Sequence, residues 1–297
     1  MKNKQTRTIL YDLKAAVRIG HIDTIQAGLD SLRSLPNVAA NLTMQTGFIE
    51  QVILPIGQLL ANHRINGALL RSLATEPLAA MRAVAAVGQA FRFLDGDRRT
   101  CDLLNRLASD PRSDVRLALT ISLQNCSSQP TEPLLELTQK WLQSESPRRQ
   151  EVALGILPSL AQMHLEIVFE YLTPLNTLRD SQARAALVRT LQILAHNGYA
   201  EKVIALLERW ATQEDTKIWI LTRALSGSWA TAYAPQALSI LRQITLLKGP
   251  KRKTIQTLKA LANPIDDSTI HTAMRAWQQE DHPNLVDLAR KYFESEA

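Results

Sequence analysis

The sequence predicts an all-α fold, an α-solenoid (an α-α superhelix) in which about seven helix pairs stack in series, and three observations lead to it. First, only 11 of 297 residues are glycine and 5% are aromatic, while 45% are hydrophobic and Leu, Ala, Arg and Gln are prominent. Such side chains lose little rotamer freedom in a helix. Second, turn-forming junctions recur every 33 to 36 residues, the range of helix-pair repeats. Third, apolar residues between junctions follow helical spacing in two stripes, and a pair with two apolar faces buries both only by stacking on neighbours.

The junctions stand out when the prolines are aligned. Thr75-Glu76-Pro77, Ser109-Asp110-Pro111, Glu145-Ser146-Pro147, Lys248-Gly249-Pro250 and Asp281-His282-Pro283 lie between apolar patterns, and Arg179-Asp180-Ser181 and Asp215-Thr216-Lys217 fall where the period requires. An acidic or hydroxyl side chain there is placed to accept from free amides at a helix start, and Pro is tolerated in the first turn. Upstream, a shorter helix ends in a recurring phrase: Leu69 to Ala74, Leu103 to Ala108 and Leu206 to Ala211. The expected pairs are 63–94, 98–126, 131–162, 164–197, 199–230, 233–262 and 266–296. In the clearest second helix, Val115, Ala118, Leu119 and Ser122 form one stripe and Leu117 and Ile121 another.

The first 62 residues are less regular and read as a degenerate repeat with capping helices, within one solenoid domain covering 1–297. Helices are expected over Lys4 to Ile19, Ile22 to Leu35 and Leu42 to Ala61, the last interrupted by Pro55. Terminal units must shield an apolar end from water, so atypical sequence is expected there. The N-terminus lacks the apolar core of a signal peptide, and the most apolar run, Gly47 to Ala61, is too short to span a bilayer. A soluble, cytoplasmic protein that does not engage membranes is the expectation. Cys101 and Cys126 have no metal-ligand spacing and read as reduced core residues.

The stretch Leu107-Ala108-Ser109-Asp110-Pro111-Arg112-Ser113-Asp114-Val115-Arg116-Leu117-Ala118-Leu119 resembles the HEAT-repeat pattern, a short helix ending at Asp-Pro and a second beginning with Val-Arg. Weaker copies start at Ser146 and Glu76, and the resemblance covers roughly 63–297. It implies a right-handed superhelix and an internal polar ladder involving Arg82, Asp110, Asp114 and Arg116. HEAT-like arrays include adaptors, transport receptors, chromophore lyases and DNA glycosylases, so the resemblance implies architecture more than activity.

No constellation of catalytic groups is apparent. The histidines 21, 63, 164, 196, 271 and 282 are scattered, and phosphate-cradling glycine motifs and a nucleophile elbow are absent. The chain thus reads as a non-enzyme with no cofactor, no metal and no evident small-molecule substrate. HEAT-like alkylpurine DNA glycosylases place a base-probing Trp four residues before a catalytic Asp; here only Trp277 has an Asp at that offset, Asp281, which reads more simply as a helix cap. Trp141, Trp210 and Trp277 occupy core positions of the repeat, whereas Trp219 and Trp229 are candidates for stacking on a base or a peptide.

The net charge is +6, yet from Thr216 to Ile265 there is no Asp or Glu and a local charge of +8. Basic residues follow the junction in four units, Arg112, Arg148, Lys217 and Lys251, so they are expected to recur along one edge about 10 Å apart. With Arg223, Lys248, Arg252 and Lys253 they form the candidate binding set. Two readings remain open: a scaffold for a protein partner, and a nucleic-acid-binding HEAT protein.

Overall fold

The computed structural model describes residues 2–19, 22–62, 67–125, 131–262 and 267–295. Every regular element among them is helical. No helix among the described residues is long and apolar enough to cross a membrane. The chain divides into two compact units, Met1–Leu160 and Ala161–Ala297.

Unit 1 opens with α1 (Lys2–Ile19), α2 (Ile22–Arg33) and the short α3 (Pro36–Ala39) and α4 (Thr46–Phe48). A π-helical segment, Ile49–Ile53, leads directly into α5 (Leu54–Ala61). The helix expected from Leu42 therefore starts at Thr46, and Leu42 is exposed. Pro55 does not interrupt it: the widened π turn lies just before the proline, which sits in the first turn of α5 and lacks the N–H a tight turn would use.

Three pairs follow: α6 (Gly67–Leu73) with α7 (Ala79–Leu94), α8 (Cys101–Leu107) with α9 (Ser113–Gln124), and α10 (Glu132–Leu142) with α11 (Pro147–Leu160). Helices α5, α7, α9 and α11 pack side by side, each on the next. Close approach rests on small residues: α7 buries Ala79, Ala80, Ala83, Ala85, Ala86 and Ala90, and a Cβ at Gly57 of α5 would come within 2.4 Å of Val87. On α9 the stripe Val115, Ala118, Leu119 and Ser122 is fully buried. The second expected stripe is not a packing face, since Leu117 is 37% exposed and Ile121 half-buried. Contact with α11 runs instead through Thr120, against Gly155, and Gln124, whose Nε2 donates to the Gly155 carbonyl.

Unit 2 continues with α12 (Leu165–Leu172) and α13 (Ser181–Leu194), α14 (Ala200–Ala211) and α15 (Ile218–Leu225), α16 (Ala234–Lys248) and α17 (Arg252–Ala262), and α18 (Asp267–Gln278) and α19 (Pro283–Glu294). Here α13, α15 and α17 pack in series, as do α14 and α16, and α18 and α19 close against α16 and α17. Between α13 and α14 the chain turns at Gly198, whose φ of 95° a residue with a Cβ adopts only under strain. The expected pairs recur in order with closely similar bounds; Cys126, His21 and His63 lie outside the described residues.

Three tryptophans fill the interior as expected. Trp141 and Trp210 are fully buried and Trp277 nearly so. The indole Nε1 of Trp141 donates to Asn105 Oδ1 at 2.7 Å and that of Trp210 to the Thr173 carbonyl at 2.9 Å. Cys101 is half-buried at the start of α8, not a core residue.

Two of the acids at the junctions serve ion pairs in place of caps. Asp180 acts as an N-cap acceptor at a second helix, taking the amides of Gln182 and Ala183, whereas the helices that follow Leu78, Arg112, Lys217 and His282 have no side-chain cap from that residue. Glu76 instead pairs with Arg33 and Asp110 with Arg82, each at 2.7 Å. A ladder does run through unit 1. Arg82 donates to the carbonyls of Glu76 and Pro77, and Arg116, 34 residues on, to those of Asp110 and Pro111. The acid facing Arg116 is Glu151, at 2.7 Å, while Asp114 binds Arg112 and the Met44 amide.

Candidate cation-lined face in unit 2

Of the basic residues singled out in the sequence, Arg112 and Arg148 belong to unit 1 and Lys217, Arg223, Lys248, Lys251, Arg252 and Lys253 to unit 2. The two in unit 1 are turned back onto their own chain. Arg112 donates to the Asn41 carbonyl at 3.1 Å and pairs with Asp114, and Arg148 donates to the Ser109 carbonyl at 3.2 Å.

In the acid-free segment three of the eight cations are also bound to oxygens of their own chain. Arg242 pairs with Glu280 at 2.6 Å, and Lys259 donates to the Ser295 carbonyl. Lys248, at the end of α16, donates to the carbonyls of Glu214 and Thr216. Burial, reinforced by the charge of Lys217, holds the Lys248 ammonium below the ordinary lysine pKa. It is therefore a structural tie and not an exposed turn residue. Lys248→Gln is expected to cost ~1 kcal/mol by leaving those carbonyls short of a donor, whereas Lys251→Gln, at an exposed position without a partner, should be nearly neutral. Thermal unfolding of the two variants checks this.

Of the remaining cations, Lys217, Arg223 and Lys253 lie at the packed series α13, α15 and α17, none of which contains an Asp or Glu. Trp219, near the start of α15, is half-buried. The Arg184 guanidinium from α13 and the Lys253 ammonium from α17 each lie over its ring, 5.7 Å from the centroid. Those helices flank α15, so the indole is clasped by a cation from each side. Cations are drawn to the negative face of an aromatic ring, a contact worth roughly 0.5 to 2 kcal/mol according to desolvation. The stacking role considered for Trp219 therefore has an internal answer, and Trp229 is buried at 7% exposure.

Two hollows border the indole. One, about 590 Å³, runs between α15 and α17 and is lined by Trp219, Thr222, Arg223, Ser226, Lys253 and Gln256 among others. The other, about 350 Å³, is lined by Arg184, Lys217 and Trp219 together with Glu214 and Asp215. Arg184 Nε is buried without a hydrogen-bond partner. Arg223, Lys251, Arg252 and Lys253 are exposed.

Arg184 was not singled out by charge density because it precedes the acid-free segment, yet its register could have found it. Positions 82, 116, 150 and 184 are 34 residues apart, and 219 and 253 continue the series. They carry Arg, Arg, Gln, Arg, Trp and Lys. Gln150 imitates the arginines before it by donating to the Ser144 carbonyl at 2.9 Å. At 184 the pattern changes: the guanidinium faces an indole where Arg82 and Arg116 face carboxylates.

Among the described residues no group of three or more His, Cys, Asp or Glu is arranged to hold a metal ion. Trp277 is buried and Asp281 exposed, so the pair does not form a base-probing arrangement. No family model matches the chain, and no curated protein matches it significantly.

Proposed function

We propose that the chain is a non-catalytic α-solenoid of HEAT type that acts as a scaffold for a protein partner. The observation that carries this reading is the face built by α13, α15 and α17. Its three helices contain no Asp or Glu, and two shallow hollows border it, one of them lined also by Glu214 and Asp215. Serial packing of second helices within each unit, with the 34-residue register, supports the solenoid. The reactive-looking pair of Trp277 and Asp281 being split between core and solvent supports a non-catalytic role.

The nucleic-acid alternative draws on the same positive charge, and one experiment separates the two. The full-length protein is used as bait after nuclease treatment, each captured protein is purified, and the pair is reconstituted and examined by sedimentation and titration calorimetry at physiological salt. A stoichiometric complex of two purified proteins is expected. Should no purified candidate bind, while a duplex oligonucleotide does so with a steep salt dependence of about 0.9 log units per phosphate contact, the scaffold reading fails in favour of nucleic acid.

A further inference from the structure

The ladder position supplies a template for what the face of unit 2 lacks. In unit 1 the guanidinium at this register takes a carboxylate side-on. Arg82 Nε and Nη2 donate to Asp110 Oδ2 and Oδ1 at 2.7 and 3.2 Å, and Arg116 holds Glu151 at 2.7 Å. In unit 2 the same register carries Arg184 and Lys253, and among the described residues neither finds an ion pair or a side-chain hydrogen bond; the indole between them attracts both cations but neutralises neither. Arg184 is half-buried and Lys253 exposed; a half-buried cation without an anion is a costly arrangement, which a charge-assisted bond to a carboxylate relieves at Arg184, while at Lys253 the same bond adds attraction.

We propose that the α13, α15 and α17 face binds an acidic segment of the partner protein, with carboxylates seated on either side of Trp219, one against Arg184 and one against Lys253 and Arg223. This rests on the scaffold reading and specifies the chemistry of its partner. The spacing is short. Both cations lie 5.7 Å from one ring centroid, so they are no further apart than twice that distance, a gap that about three residues of extended chain bridge. Two acids no more than about three residues apart match it. A nucleic acid fits less well. Two cations already lie over the indole ring and no other aromatic lines the larger hollow, so bases find a poor stacking platform. Glu214 and Asp215 line the hollow beside Arg184 and oppose any anion there, a run of phosphates more than the single carboxylate proposed.

The test uses the full-length protein and a fluorescein-labelled peptide of repeated Glu-Ala-Ala, read by fluorescence anisotropy at low salt. The same repeat with Gln for Glu and a labelled single-stranded oligonucleotide of equal charge serve as comparisons. The Glu peptide should bind, the Gln peptide should not, and the oligonucleotide should bind more weakly. Arg184→Gln and Lys253→Gln should each weaken peptide binding roughly tenfold, the loss of one charge-assisted bond. Arg184→Lys, which keeps the charge, should recover part of it, and Arg209→Gln, an exposed control on α14, should leave affinity unchanged. Circular dichroism of each variant separates lost binding from lost fold. No binding of the Glu peptide overturns the proposal, as does equal weakening by Arg209→Gln. Tighter binding of the oligonucleotide, lost in the same variants, transfers the face to nucleic acid. A purified protein partner that binds parent and Arg184→Gln, Lys253→Gln double variant alike leaves the scaffold reading standing and removes this one.

Discussion

Leu119→Asp is expected to cost ~4 kcal/mol or more and to leave unit 1 largely unfolded at room temperature. Leu119 is fully buried on α9, where that helix packs between α7 and α11. A carboxylate there loses its hydration, and the positions that face inward beside it, Val115, Ala118 and Leu123, are apolar. Burial of an unpaired charge belongs to the few mechanisms that exceed the usual cost of a point mutation, and it is large beside the total stability of a domain. Denaturant unfolding of parent and variant measures it. A variant melting within a degree or two of the parent would show that α9 is not packed on this face.

Arg116→Ala is expected to cost ~3 kcal/mol, the next largest effect. Arg116 is 3% exposed, and its guanidinium holds Glu151 and the carbonyls of Asp110 and Pro111 together. Truncation takes one ion-pair partner from Glu151 and a donor from two carbonyls at once, and removing one partner of a buried pair is costlier than the pair's net contribution. Arg116→Met keeps part of the packing but strands the same groups, so it should recover only a minor share. Urea midpoints of the two variants against the parent provide the check. A loss below half a kilocalorie in both would mean that the ladder is ornamental.

The helix pairs were legible because their signal is periodic. Proline junctions such as Ser109-Asp110-Pro111 repeat at the helix-pair spacing, and each repetition reinforces the others. Where the period is absent the reading slipped: the helix placed from Leu42 begins at Thr46, since nothing in local propensity announces a π turn before Pro55. The stripe of Leu117 and Ile121 was misassigned because hydrophobicity marks a face as apolar but not what covers it. Charge density located the acid-free segment but could not separate Lys248, spent on the carbonyls of Glu214 and Thr216, from the exposed Lys251 beside it. Such ties depend on which backbone oxygens a fold leaves over, and that is decided by packing. Arg184 was visible only in register, as the member of a series whose expected carboxylate is replaced by Trp219.

The bonds that join neighbouring pairs in unit 2 have a kinetic consequence. Trp210 reaches Thr173, Thr257 reaches Thr222 and Arg242 reaches Glu280, across 37, 35 and 38 residues. Each closes a loop of nearly the same length, so the entropy lost in forming one does not grow as further pairs are added. The search for native contacts stays local along the chain, which favours rapid folding, and a formed pair presents a finished surface on which the next condenses. Assembly of this unit is thus closer to growth at an edge than to collapse around a centre.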